Sequence, residues 1–128
     1  VQHIYDLLDG KVEGKTVTLL GLAFKANTDD IRYSTAIPVI NKLLADGARV
    51  KAYDPAAMPN MQQLFPDVQY CNSVKEALTD ADAVALITEW DEFKKLDLTQ
   101  VAKLVRNRNL FDGRNLWDPK VLKSLGFN

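Results

Sequence analysis

The stretch VTLLGLAFKANTDDIRYSTAIPVINKLLADGARVKAYD, residues 17–54, decides the fold. It begins with the unbroken apolar run 17–22, which is typical of a strand buried on both faces. Residues 34–46 have the apolar period of a helix, with a serine and a threonine that can cap its start. Residues 49–53 predict a second strand. A strand, a helix and a strand in this order predict two parallel strands joined by a right-handed crossover.

The same alternation of strands and helices continues to the end of the chain. Further strands are predicted at 68–70, 83–88 and 109–112, and capping signals that open helices stand at Ser73–Glu76, Asp97–Gln100 and Asp118–Pro119. The expected fold is therefore α/β: a Rossmann-like, three-layer, doubly wound parallel sheet in a single domain. In such folds ligands bind beyond the carboxyl ends of the strands.

Sequence-wide counts exclude several classes of protein. The chain has 128 residues, 16 Lys and Arg against 17 Asp and Glu, one His and one Cys. A formal charge of −1 gives no basic surface for nucleic acid or an anionic membrane. No apolar run approaches the roughly 20 residues of a membrane helix, and no signal-peptide pattern is present, so we expect a cytoplasmic protein. One His and one Cys make a poor metal site, and no metal is expected.

Glycine usage after the first strand argues against the ordinary dinucleotide-binding mode. That mode needs G-x-G-x-x-G so that backbone amides can approach a pyrophosphate. Only Gly21 is present at this place in the sequence. Asp54, at the end of the second strand, is followed by Pro55, and this pair favours a turn or a helix cap over a ribose-binding acid.

The loop after the first strand instead contains cations. Lys25 is a flexible point charge that suits an anionic group such as phosphate, and Arg32 has a planar donor fork suited to phosphate or carboxylate. The alternative is that both cations pair with Asp29 and Asp30 and order the loop. The residues alone leave the two interpretations even.

Other polar and aromatic candidates follow later strands. Arg114 comes after Gly113 at the end of the last strand, where it is either a ligand-binding cation or a surface arginine. Trp90 and Phe93 are predicted to be packing residues rather than stacking platforms. Cys71 has neither a cationic setting nor a base in its sequence neighbourhood, so we interpret it as a small filler and predict no catalytic residue.

Four segments resemble one known family. Residues 21–34, 53–55, 88–93 and 111–114 look like the C-terminal domain of UDP-glucose 6-dehydrogenase, within the UDP-glucose/GDP-mannose dehydrogenase family. The resemblance covers nearly the whole chain, 14–127. It implies an enzyme that oxidises UDP-glucose to UDP-glucuronate with two NAD⁺. It also implies that the catalytic cysteine and the main NAD site lie outside this chain, in N-terminal and central domains.

The resemblance further implies a division of the chain and a set of site residues. Residues 1–13 would be the end of a preceding central helix and a linker, and 14–128 the UDP-binding domain. Phe24, Lys25 and Arg114 match positions that contact the UDP-sugar, and Arg32 matches a position that reaches NAD.

The expected partners follow from the same resemblance. They are UDP-glucose and the N-terminal and central domains, and the complete protein is expected to be a homo-oligomer. Two alternatives remain: the corresponding domain of a GDP-mannose or UDP-N-acetylsugar dehydrogenase, and a stand-alone nucleotide-binding module.

Overall fold

The sheet has all its strands parallel. The computed structural model describes residues 2–8, 10–114 and 116–127, the first three of them by backbone alone. The strands of this described part are β1 Thr16–Leu20, β2 Arg49–Tyr53, β3 Gln69–Tyr70, β4 Ala83–Leu86 and β5 Leu110–Asp112. They pair in the order β3-β2-β1-β4-β5. The chain therefore reverses its direction of winding between β1 and β4, which is the topological switch point of this fold.

Helices connect the strands. They are α1 Gln2–Leu7, α2 Ala36–Ala45, α3 Met58–Leu64, α4 Val74–Leu78, α5 Asp91–Lys94, α6 Leu98–Leu104 and α7 Pro119–Ser124. The predicted caps Ser73, Asp97 and Asp118 each accept a hydrogen bond from a backbone N–H in the first turn of their helix. The short helices α3 and α5 were not predicted. No helix of the described residues has the length and apolar character needed to cross a membrane.

Two apolar cores lie on opposite faces of the sheet. Side chains of β4 alternate between them: Ala83 and Ala85 belong to one core, and Val84 and Leu86 to the other. Helices α2 and α3 pack on the first face, and α4, α5 and α6 on the second. The predicted three-layer, doubly wound α/β fold is thereby confirmed.

Helix α1, Leu8 and Val12 pack on the rest of the domain. Leu8 and Val12 are buried in the first core, and α1 contacts β4 and β5. The Tyr5 hydroxyl donates a hydrogen bond to the Asp46 carboxylate at the end of α2. Burial and this carboxylate together raise the pKa of Tyr5 to about 12. The division of the chain at 13/14 stays a prediction.

Two leucines allow a matched test of the first core. Leu43, on α2, is completely buried, whereas Leu64, on α3, is 54% exposed. We expect Leu43→Ala to lower the free energy of unfolding by about 2–5 kcal/mol, because it removes buried methyl groups and leaves a cavity. Leu64→Ala should change it by less than about 0.5 kcal/mol. Equal losses in denaturant unfolding of the two variants would contradict this packing.

Candidate functional site

The candidate site is the carboxyl edge of the sheet around β1 and β4. Here the chain leaves β1 toward one face and β4 toward the other, and this divergence opens a crevice. The segment from β1 to α2, residues 21–35, is called the β1–α2 loop below. It contains three of the four residues that the sequence predicts to bind a ligand or cofactor.

A buried carboxylate fixes the start of this loop. Asp54 follows β2 directly and is completely buried. Its Oδ2 accepts hydrogen bonds from the backbone N–H groups of Leu22 (2.7 Å) and Ala23 (3.0 Å). The same oxygen accepts a third bond from the indole Nε1 of Trp90 (3.0 Å), which follows β4. One carboxylate therefore joins the segments that follow β1, β2 and β4.

The second oxygen of the same carboxylate starts α3. Asp54 Oδ1 accepts from the backbone N–H groups of Ala56 and Ala57, both at 2.8 Å. Ala57 precedes the helix and has no capping side chain of its own. Asp54 thus has the turn and capping role predicted from the sequence. Sequence reasoning missed α3 because its cap lies in the turn after β2 rather than next to the helix.

Two hydroxyl groups satisfy the carbonyl groups of the same loop residues. Ser34 Oγ donates to the carbonyl of Leu22, and Thr88 Oγ1 donates to that of Ala23, both at 2.7 Å. Gly21 has φ +96°, and a Cβ there would lie 2.5 Å from Thr88 Cβ. Only glycine fits this close approach, and the loop backbone is consequently fixed from both sides.

The first backbone N–H groups of α2 also have hydrogen-bond acceptors within the chain. Ser34 Oγ accepts from the N–H of Ala36 (3.1 Å), and the Ser34 carbonyl accepts from that of Ile37 (3.3 Å). Pro38 has no N–H to offer. The backbone N–H groups at the start of the β1–α2 loop and at the start of α2 therefore already donate to Asp54 and Ser34. This geometry agrees with the interpretation drawn from the missing glycine motif.

Phe24 and Lys25 lie beyond this fixed region. The loop closes on itself where the Phe24 N–H donates to the Asp30 carbonyl (2.7 Å). The Phe24 side chain is 44% exposed, and Lys25 is exposed. Within the described part of the chain, no hydrogen bond or ion pair holds Lys25 Nζ. Its charge helps to lower the pKa of the nearby Asp30 carboxyl, but the N–H donors of the ammonium group stay available to an anion.

Arg32 makes the pairing that the sequence left open. Its guanidinium donates two hydrogen bonds to the Asp30 carboxylate, from Nη2 to Oδ2 at 2.8 Å and from Nε to Oδ1 at 3.1 Å. Hydrogen bonds from Arg32 hold the pKa of the Asp30 carboxyl below its usual value. The Arg32 side chain is nevertheless 81% exposed, so its outer N–H groups face solvent. Its proposed contact with a cofactor stays a prediction.

Arg114 lies at the same edge, on the other side of β4. Its Nε donates to the Ile87 carbonyl (2.9 Å), directly after β4. It lines a cleft of about 260 Å³ together with Thr35, the last residue of the β1–α2 loop. A Cβ on Gly113 would lie 3.0 Å from the Leu86 carbonyl oxygen, so glycine allows this close turn. The guanidinium is thereby held at the carboxyl end of β4.

The remaining candidates are packing residues, as predicted. Phe93 is completely buried and meets the Tyr53 ring edge-on at 6.2 Å. Trp90 is half-buried between the two cores. Cys71 is completely buried, and burial raises the pKa of its thiol. The sequence did not indicate that Trp90 also donates to Asp54, because the two residues are 36 positions apart.

Comparison with known proteins identifies the relatives of this chain. The model of the UDP-glucose/GDP-mannose dehydrogenase family, UDP binding domain, matches residues 18–119. UDP-glucose 6-dehydrogenase TuaD of Bacillus subtilis is 40% identical over 129 residues, which cover 98% of this chain and 28% of TuaD. UDP-glucose 6-dehydrogenase AglM of Haloferax volcanii is 46% identical over 117 residues, which cover 90% of this chain and 27% of AglM.

Solved structures show the same relationship. A UDP-glucose dehydrogenase from Pyrobaculum islandicum superposes with a TM-score of 0.78 at 35% identity, covering 90% of this chain and 25% of that one. An NDP-N-acetyl-D-galactosaminuronic acid dehydrogenase from Methanosarcina mazei Go1 superposes with a TM-score of 0.82 at 27% identity. This match covers 98% of this chain and 27% of that one. The chain thus spans little more than a quarter of the length of these relatives.

The role of Asp54 can be tested by removing one acceptor oxygen. In Asp54→Asn, the side-chain amide would turn an NH₂ group toward N–H donors, so buried donors lose their partner. We expect the free energy of unfolding to fall by about 2 kcal/mol or more. Asp118→Asn is the matched control: Asp118 accepts one bond at an exposed helix start, where Asn caps equally well. A loss in Asp54→Asn no larger than in Asp118→Asn would contradict the assigned role.

The packing role of Cys71 predicts slow chemical labelling. Because the thiol is buried and its pKa is raised, little thiolate is exposed to an alkylating reagent at mildly alkaline pH. We expect iodoacetamide to modify the folded chain far more slowly than the chain unfolded in guanidinium chloride, measured by intact mass. Equal rates in the two states would show a reactive, accessible cysteine.

Proposed function

Because this chain belongs to the UDP-glucose/GDP-mannose dehydrogenase family, as its UDP-binding domain, we propose that it anchors the UDP moiety of UDP-glucose in an NAD-dependent UDP-glucose 6-dehydrogenase. The reaction would oxidise UDP-glucose to UDP-glucuronate, reduce two NAD⁺ to NADH and consume one water. The remainder of such an enzyme would supply the other domains, in keeping with the greater length of the relatives.

The observation that supports this proposal most is that Lys25 is available for binding, whereas the backbone amides just before it already donate to Asp54. Asp54 accepts from the N–H groups of Leu22 and Ala23, so these two amides would not hold an anion, and side chains would supply contacts in their place. Lys25 suits a phosphate oxygen as a point charge, and Arg114 offers a planar fork. A diphosphate carries the negative charge that two such cations would recognise.

The contribution of this domain to the reaction would be positioning. Binding energy from the nucleotide, which does not react, can hold the sugar carbon C6 in line with the reacting groups of the other domains. A rigid loop serves this purpose because no part of the binding energy is then used to order it. The carboxylate of Asp54 and the hydroxyls of Ser34 and Thr88 provide that rigidity.

NAD would be held mainly by the N-terminal domain, and it supplies the acceptor for hydride. The amides of Leu22, Ala23 and Ala36 would not hold a dinucleotide pyrophosphate, because Asp54 and Ser34 already accept from them. Arg32 is the one residue here that we propose to reach NAD, through the outer N–H groups of its exposed guanidinium. Asp30 would hold that guanidinium in place.

Related substrates are less well supported. The curated relatives named here are UDP-glucose 6-dehydrogenases at 40% and 46% identity. A GDP-mannose dehydrogenase from Pseudomonas aeruginosa superposes with a TM-score of 0.64 at 26% identity. The sequence therefore favours UDP-glucose over GDP-mannose. Homo-oligomer formation and a cytoplasmic location stay predictions.

Two substitutions test the anchoring role in the complete dehydrogenase. Lys25→Ala and Arg114→Ala should each raise the KM for UDP-glucose by about tenfold or more, since each removes a charged hydrogen-bond donor. Lys120→Ala, an exposed lysine on α7, is the control and should leave KM unchanged. The assay follows NADH, and two should form per sugar.

Two results would overturn the proposal. One is an unchanged KM in both Lys25→Ala and Arg114→Ala. The other is turnover of GDP-mannose in place of UDP-glucose by the complete protein. The 128-residue chain alone should give no NADH, because in this proposal the catalytic cysteine and the main NAD site lie in the other domains.

A further inference from the structure

An exposed aromatic pair stands on the β1–α2 loop. Tyr33 is 89% exposed, and its ring meets the ring of Phe24 edge-on, with centroids 6.4 Å apart and planes at 68°. Tyr33 also has φ +62°, in the left-handed region that bulky residues avoid. Both the exposed ring and this backbone conformation cost free energy.

The surrounding contacts hold this costly arrangement in place. Ser34, the next residue, is buried and donates to the Leu22 carbonyl at 2.7 Å. On the other side, the Arg32 N–H and guanidinium both bind the Asp30 carboxylate. The Tyr33 ring therefore stands in solvent on a backbone that is fixed before and after it. Backbone outliers of this kind, kept by their surroundings, occur most often at functional sites.

The charges beside the pair indicate what it would bind. Lys25 follows Phe24, and Arg32 precedes Tyr33, so each ring has a cation next to it in the chain. Flat aromatic surfaces with adjacent cations suit nucleotides, because the base stacks on the ring while the phosphates meet the charge. The pair also lies at the carboxyl edge of the sheet, where ligands of such folds bind.

We propose that Tyr33 is a further nucleotide-binding residue, whose ring, oriented by contact with Phe24, stacks on the planar ring of a bound nucleotide. This inference rests on the proposed function, which places UDP-glucose and NAD near the same loop. The nucleotide ring that stacks on Tyr33 is either the uracil of UDP-glucose or one of the rings of NAD. Both are planar aromatic groups attached to phosphates, and separate titrations distinguish them.

The test uses three variants of the complete dehydrogenase. Tyr33→Asn removes the ring while keeping a residue that tolerates a left-handed backbone. Tyr33→Phe keeps the ring and removes only the hydroxyl. Val121→Asn, at a 43% exposed position on α7, controls for loss of an exposed apolar side chain elsewhere. Affinities for UDP and for NAD are measured separately by calorimetry, with KM for UDP-glucose and NAD and the thermal midpoint.

We expect Tyr33→Asn to lower the affinity for one of the two nucleotides about fivefold or more. Tyr33→Phe, which keeps the ring, should retain most of that affinity. A lower affinity for UDP would identify the uracil as the ring that stacks on Tyr33. A lower affinity for NAD would identify a ring of the dinucleotide instead. Unchanged affinities for both would overturn the inference, including the case in which only the thermal midpoint falls because the ring packs against another domain.

The outcome is separable from that of the proposed function. If the complete protein does not oxidise UDP-glucose, the proposed function fails, while the UDP and NAD titrations still decide whether Tyr33 stacks on a nucleotide. If the unmodified protein binds neither nucleotide, the inference is overturned as well.

Discussion

The carboxylate of Asp54 is the interaction on which this edge of the sheet depends. It is completely buried, and N–H groups from the segments that follow β1, β2 and β4 donate to its two oxygens. A buried carboxylate is costly unless its lone pairs are filled, and here donors from the described residues fill them. The cost of burying the charge is offset by fixing three connections in one place.

This arrangement changes how the fold can treat an anionic ligand. Parallel α/β sheets commonly present backbone amides and a helix N-terminus to a phosphate after the first strand. In this chain Asp54 and Ser34 accept from those amides, and Pro38 removes another donor. In the proposed function, side chains beyond the fixed backbone recognise the anion instead, and Lys25 and Arg114 come from opposite sides of β4. The fold is that of a dinucleotide-binding domain, but its chemistry at this edge is different.

The sequence predicted the strands and their parallel direction, but not their order, because the apolar runs and capping residues are local signals. It did not predict α3, whose cap, Asp54, lies in the preceding turn. Pairing of Arg32 with an aspartate of its own loop was one of the two interpretations that the sequence left open. The Arg32–Asp30 pair was foreseeable because the two residues are only two positions apart. The contact of Trp90 with Asp54 and that of Thr88 with the β1–α2 loop were not foreseeable, because they join residues 36 and 65 positions apart. Such contacts become visible only when the strand order is known.

A crystal structure of the complete dehydrogenase with UDP-glucose bound would show whether side chains or backbone amides hold the diphosphate. We predict that the diphosphate oxygens contact the side chains of Lys25 and Arg114, while Asp54 still accepts from the amides of Leu22 and Ala23. A structure in which Asp54 has turned away and the diphosphate accepts from those two amides would contradict it.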